Sequence, residues 1–70
     1  MAEIRAEMVA NVWKVLVSEG DQVDDGDTLV ILESMKMEIP VLAESPGVVT
    51  KLHVAEGDVV QEEELIAEIG

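Results

Sequence analysis

Glu33-Ser34-Met35-Lys36-Met37-Glu38-Ile39-Pro40 is the stretch on which the reading of this chain turns. Its local chemistry points two ways. Glu, Met and Lys are good helix formers, and Pro40 would end a short helical turn. Taken as a tight hairpin, the same stretch puts Met35 and Lys36 at the two central positions, where a type I′ turn needs φ > 0 and favours Asn-Gly. A conflict between local preference and chain context is expected at a functional site. Lys36 is also chemically singular. Four Lys and Arg residues stand against sixteen Asp and Glu, and this lysine sits between two methionines, bracketed by Glu33 and Glu38.

Working outward, the stretch joins two copies of one pattern. Val12-Trp13-Lys14-Val15-Leu16-Val17-Ser18-Glu19-Gly20-Asp21-Gln22-Val23 aligns without a gap on Val49-Thr50-Lys51-Leu52-His53-Val54-Ala55-Glu56-Gly57-Asp58-Val59-Val60, a shift of 37 residues. Val12, Lys14, Val17, Glu19, Gly20, Asp21 and Val23 each meet their own type. The register carries on through Leu29 over Ile66 and Leu32 over Ile69. Two such strand-turn-strand units cannot each bury an apolar face alone, so they must pack on one another. The expected fold is pseudo-twofold, with Lys36 at one tip and both termini at the other. Context therefore selects the hairpin.

The strands follow from periodicity. Ile4, Ala6 and Met8 alternate with polar neighbours and predict a half-buried strand. Val12 to Val17 predicts a second, with Trp13, Val15 and Val17 on one face and Lys14 on the other; with no further aromatic to build a stacking platform, Trp13 reads as a packing residue. Glu19-Gly20-Asp21 and Asp25-Gly26-Asp27 read as turns. Leu29 to Leu32 is a strand on its β-branched content, and Ile39 to Leu42 returns after the tip as an edge strand, because Pro40 lacks a ladder donor. Ser45-Pro46-Gly47 predicts a type II turn. Val48 to Val54, Val59-Val60 and Leu65 to Ile69 repeat the first half. Two departures between the halves bear on turn geometry: Glu63 stands where the first half has Gly26, predicting a different or mildly strained turn, and Ala10 stands where the second half has Gly47. Short strands punctuated by Gly and Asp predict an all-β flattened barrel or sandwich.

Composition bounds the function. Seventy residues allow one domain, residues 1–70, and no enzyme core of ordinary size. With no Phe, Tyr or Cys, the core must be aliphatic and lacks disulfide or thiolate-metal support. A formal net charge of −12 disfavours nucleic acid and anionic membranes as partners. Asp21, Asp24, Asp25 and Asp27 fail the spacing of a calcium loop and read as solvated turns, as does Glu62-Glu63-Glu64, so no metal site is expected. Met1 to Met8 has no apolar run, which predicts neither a signal peptide nor a membrane anchor. Absence of Cys fits a reducing compartment, and a cytoplasmic protein is expected, or one of the mitochondrial matrix or plastid in a eukaryote.

Glu33-Ser34-Met35-Lys36-Met37 followed by Glu38-Ile39 resembles the attachment motif of the biotinyl/lipoyl family, in its biotin carboxyl carrier type. Gly20-Asp21, Gly26-Asp27-Thr28-Leu29, Ser45-Pro46-Gly47-Val48-Val49 and Gly57-Asp58 extend the resemblance over nearly the whole chain. It implies two four-stranded antiparallel sheets in a barrel-sandwich hybrid, with the modified lysine on an exposed hairpin. The protruding insertion of larger bacterial members has no room between Val17 and Leu29. Carried over by residue, Lys36 would accept an amide-linked biotin, Met35 and Met37 would flank it as recognition residues, and Glu33 and Ser34 would complete the motif. The implied role is a non-catalytic swinging-arm carrier that takes a carboxyl group between the biotin carboxylase and carboxyltransferase components of a carboxylase, after loading by biotin protein ligase. A lipoyl carrier is the nearest alternative, disfavoured because lipoyl domains show Asp-Lys-Ala at the tip. An unmodified assembly module of the same fold is the third. His53 has no catalytic partners and reads as a polar strand position, and Lys14 and Lys51, which lack methionine neighbours, are internal controls for Lys36.

Overall fold

A computed structural model describes residues 2–70, and every described strand belongs to one of two four-stranded sheets. In chain order the strands are β1 (Ala2–Arg5), β2 (Ala10–Val15), β3 (Gln22–Val23), β4 (Thr28–Ser34), β5 (Met37–Leu42), β6 (Gly47–Leu52), β7 (Val59–Val60) and β8 (Leu65–Ile69). One sheet runs β1-β8-β6-β3 and the other β5-β4-β2-β7, with antiparallel pairing throughout. The 37-residue shift carries β2, β3 and β4 onto β6, β7 and β8, and β1 onto the end of β5, so it turns one sheet order into the other. Each half lends its short strand to the sheet of the other half. β3 pairs with β6, and β7 with β2, so neither half can separate without breaking ladder bonds.

The repeat also generates the core. Val12 and Val49, Leu29 and Ile66, Val30 and Ala67, Leu32 and Ile69, and Val23 and Val60 are equivalent pairs, and all are buried. No polar or charged residue is buried among the described residues. With no aromatic ring inside, cohesion comes from close-packed aliphatic side chains, each worth about 1.5–3 kcal/mol when fully buried.

Turns repeat with the same fidelity. Gly20 N–H donates to Val49 O at 2.8 Å and Gly57 N–H to Val12 O at 2.8 Å, each bond joining a turn of one half to a strand of the other. The turn acids do more than face solvent. Asp21 Oδ2 accepts from Ser18 N at 2.8 Å and Asp58 Oδ2 from Ala55 N at 2.9 Å, while Glu19 and Glu56 carboxylates accept Leu52 N and Val15 N at 3.0 and 3.2 Å. Glu63 adopts φ 71 where Gly26 has φ 90. The second turn therefore keeps the geometry of the first and holds a glutamate in left-handed backbone, a conformation costing an L-residue roughly 1–2 kcal/mol.

Three expectations are corrected. The first strand ends at Arg5, and Met8 lies exposed in a bend, since Ala6 N–H turns to Glu64 O at 2.9 Å. Ser45-Pro46-Gly47 is not a type II turn, because Gly47 does not take positive φ and already begins β6. A glycine suits that position for another reason: a Cβ there would lie 2.7 Å from Ile69 Cγ2 and 2.8 Å from Gly70 O. Trp13 does not pack inside. The register slips between Val12 and Lys14, and this bulge puts Trp13 and Lys14 together on the outside, with Lys14 Nζ 5.5 Å from the indole centroid. His53 lies just past β6 and its Nε2 sits 2.8 Å from Glu68 Oε2.

Candidate functional site

The β4–β5 hairpin resolves the conflict within its own sequence in favour of context. Leu32 and Ile39, Glu33 and Glu38, and Ser34 and Met37 face each other in unbroken register, which leaves Met35 and Lys36 as the entire loop. Both take left-handed backbone, at φ 53 and φ 65, the two positive values that a type I′ turn requires. Neither residue is the Asn or Gly such a turn prefers, so the hairpin is held closed by the strands behind it. Leu32 anchors those strands at 2% exposure. Pro40 lies on β5, the edge strand of its sheet, where a missing donor costs no ladder bond.

The tip is open to solvent. Met35 is 92% exposed and Met37 63%, values far from those of gap-filling core methionines. Lys36 is exposed as well. Among the described residues its Nζ makes no ion pair and no hydrogen bond with another side chain; the acids that bracket it in sequence, Glu33 and Glu38, are opposed to each other across the strands instead. Ser34, half-buried, closes β4 opposite Met37. The five residues singled out from the sequence therefore lie together on one hairpin end. A groove of about 460 Å³ runs between edge strands β1 and β5, lined in part by Ile4, Pro40 and Val41, and neither Lys36 nor its flanking methionines line it. No cluster of three or more His, Asp or Glu able to hold a metal occurs among the described residues. Among the described residues no helix is long and apolar enough to cross a membrane.

Two interlocked four-stranded sheets that present a lysine on a two-residue hairpin define a barrel-sandwich domain of the attachment type. Comparison with known proteins makes the assignment specific: the chain belongs to the biotin/lipoyl attachment family, whose description is "Biotin-requiring enzyme", matched over residues 2–69. It is 63% identical over 70 residues to a biotinylated protein TB7.3 homolog of Mycobacterium leprae, covering 99% of both chains. Among solved structures it superposes on the urea carboxylase of Kluyveromyces lactis with a TM-score of 0.92 at 35% identity, covering 99% of this chain and 6% of that one. It also superposes on the lipoyl domain of the 2-oxoglutarate dehydrogenase complex of Azotobacter vinelandii with a TM-score of 0.85 at 26% identity, covering 100% of this chain and 96% of that one.

Proposed function

We propose that this domain is a biotin carrier whose attachment residue is Lys36, and that it serves a biotin-dependent carboxylase without catalysing a step itself. The observation that carries the reading is the tip geometry: an exposed lysine with no side-chain partner among the described residues, in the second left-handed position of a two-residue turn, between two exposed methionines. A relative described as a biotinylated protein supports biotin over lipoate, as do Met35 and Met37 where lipoyl domains carry Asp and Ala.

Attachment fits the residues present. Lys36 Nζ, once deprotonated, would attack the acyl carbon of a biotinyl group activated by a ligase; as the amide C–N bond formed, the activating group would leave with the electron pair of the broken acyl bond and Nζ would give up one further proton to solvent or to a ligase base. Biotin, when bound, would supply the ring nitrogen that carries a carboxyl group between the carboxylase and carboxyltransferase sites. The chain supplies position. A short hairpin on a rigid double sheet raises the effective concentration of the tethered group at each partner site, and the apolar thioethers of Met35 and Met37 offer soft contacts to a partner pocket.

The experiment is intact-mass analysis of the protein after treatment with biotin protein ligase, biotin and ATP. One added biotinyl group, absent in Lys36→Arg, is expected. A lipoyl adduct from cells supplied with both cofactors, or no adduct at all, would replace this reading with one of its two rivals.

A further inference from the structure

The internal symmetry of the fold supplies a control surface. Apart from Met37 and Glu38 at the start of β5, positions on the outside of the β5-β4-β2-β7 sheet have equivalents among the described residues on the outside of the β1-β8-β6-β3 sheet. The bulge that turns Trp13 outward recurs between Val49 and Lys51. Whatever the fold itself requires of an outer position, both halves should therefore show.

They do not. Trp13 stands opposite Ile31 across the bulge, Ile31 pairs with Pro40, Val59 pairs with Asn11 on the same face, and Leu16 continues beyond β2. Their equivalents are Thr50, Glu68, Glu3, Gln22 and His53, polar at every one of the five positions. The polar set is also internally bonded: Thr50 Oγ1 donates to Glu68 O at 3.1 Å, His53 Nε2 contacts Glu68 Oε2 at 2.8 Å, and Glu3 pairs with Arg5 at 2.9 Å. Among the described residues, only Val48, facing solvent where the first half has Asn11, runs the other way. Trp13, Leu16 and Val59 stay 42%, 53% and 56% exposed. The chain's one aromatic residue is thus on its surface, on the face of the sheet that ends in the Lys36 hairpin.

We infer that the outer face of the β5-β4-β2-β7 sheet, centred on Trp13 with Leu16 and Val59, is a docking surface for the biotin protein ligase. The inference rests on the carrier reading of Lys36. Apolar surface kept in water at positions where the fold accepts Thr, His and Gln marks an interaction site, and Trp is the residue most enriched at the energetic centre of such sites. Charge selects the kind of partner. A net charge of −12 opposes burying this face against a second copy and favours a partner with an apolar centre and a basic rim. Reach selects the ligase. Its reacting atom is Lys36 Nζ itself, so its surface must close on the tip and on what flanks it, and Ile31 and Pro40 lie in strands that run straight from that tip.

The test exchanges residues between the halves. Trp13→Thr, Leu16→His and Val59→Gln are combined, each replacement being the type the equivalent position already holds. The reciprocal Thr50→Trp, His53→Leu and Gln22→Val variant is the control. Initial rates of biotin incorporation by purified ligase are measured against carrier concentration, with thermal melts to establish that each variant is folded. Loss of uniform binding raises KM with kcat unchanged, so the first variant should show a KM higher by roughly tenfold, the equivalent of ~1.4 kcal/mol, while the control matches the parent. Equal KM values for the folded first variant and the labelled parent would overturn the docking face and leave the carrier reading standing. A parent that is not labelled at all would sink the carrier reading instead. Sedimentation of the parent as a dimer that the first variant abolishes, with unchanged KM, would assign the face to self-association and also overturn the proposal.

Discussion

Glu33 and Glu38 stand directly opposite each other on β4 and β5, one pair behind the residues that close the turn. Like charges in that relation destabilise a hairpin by an amount in the range of about 0.2–1 kcal/mol. The fold has no evident need for the pair. Replacing Glu38 by Gln should therefore raise the melting temperature slightly, and an unchanged or lowered value would mean that the opposed carboxylates hold the strands together in a way the geometry does not reveal.

The turn itself is built against preference, since Met35 and Lys36 both occupy left-handed backbone. Exchanging them for Asn and Gly suits a type I′ turn. The Met35→Asn/Lys36→Gly double variant should be more stable than the parent by about 1 kcal/mol in denaturant melts, and it should accept no label. A less stable double variant would show that the methionine and lysine side chains contribute to the fold.

Lys36→Ala alone is expected to alter stability by no more than about 0.5 kcal/mol, as for other exposed positions free of special contacts. A loss of several kcal/mol in the same melts would make Lys36 a structural residue.

Gly26 and Glu63 occupy equivalent left-handed positions, and they permit a matched pair of substitutions. Glu63→Gly should stabilise and Gly26→Glu should destabilise, each by about 1 kcal/mol. No clash contributes, because a Cβ at Gly26 meets nothing within 4 Å. Effects of the same sign would mean that the two turns are not equivalent.

Much of this architecture is legible in the sequence, for a physical reason: the two halves bury equivalent side chains, so Val12 over Val49 and Leu29 over Ile66 record one packing problem solved twice. The hairpin was legible for the same reason and against local propensity. What escaped lies where one residue changes the geometry or where a distant contact sets the requirement. Alternation from Val12 onward put Trp13 inside, but the bulge before Lys14 turns it out, and a slip of one residue exchanges faces. The Pro46-Gly47 dipeptide carries the local signature of a type II turn, whereas Gly47 meets Ile69 and Gly70, far along the chain. The hydrogen bonds of Glu19 and Glu56 to the opposite half were hidden likewise, because an acidic turn looks the same whether it is merely solvated or closes a backbone donor.

The most direct test of the central claim is peptide mapping after ligase treatment, applied to the parent and to the Met35→Lys/Lys36→Met variant. In the parent, label should fall on Lys36 alone, leave Lys14 and Lys51 untouched, and remove one positive charge, taking the formal net charge from −12 to −13. Moving the lysine to the first turn position re-aims its side chain, and labelling there should fall sharply or vanish. Label spread over several lysines of the parent, or full labelling of the shifted variant, would contradict the claim that the hairpin geometry selects Lys36.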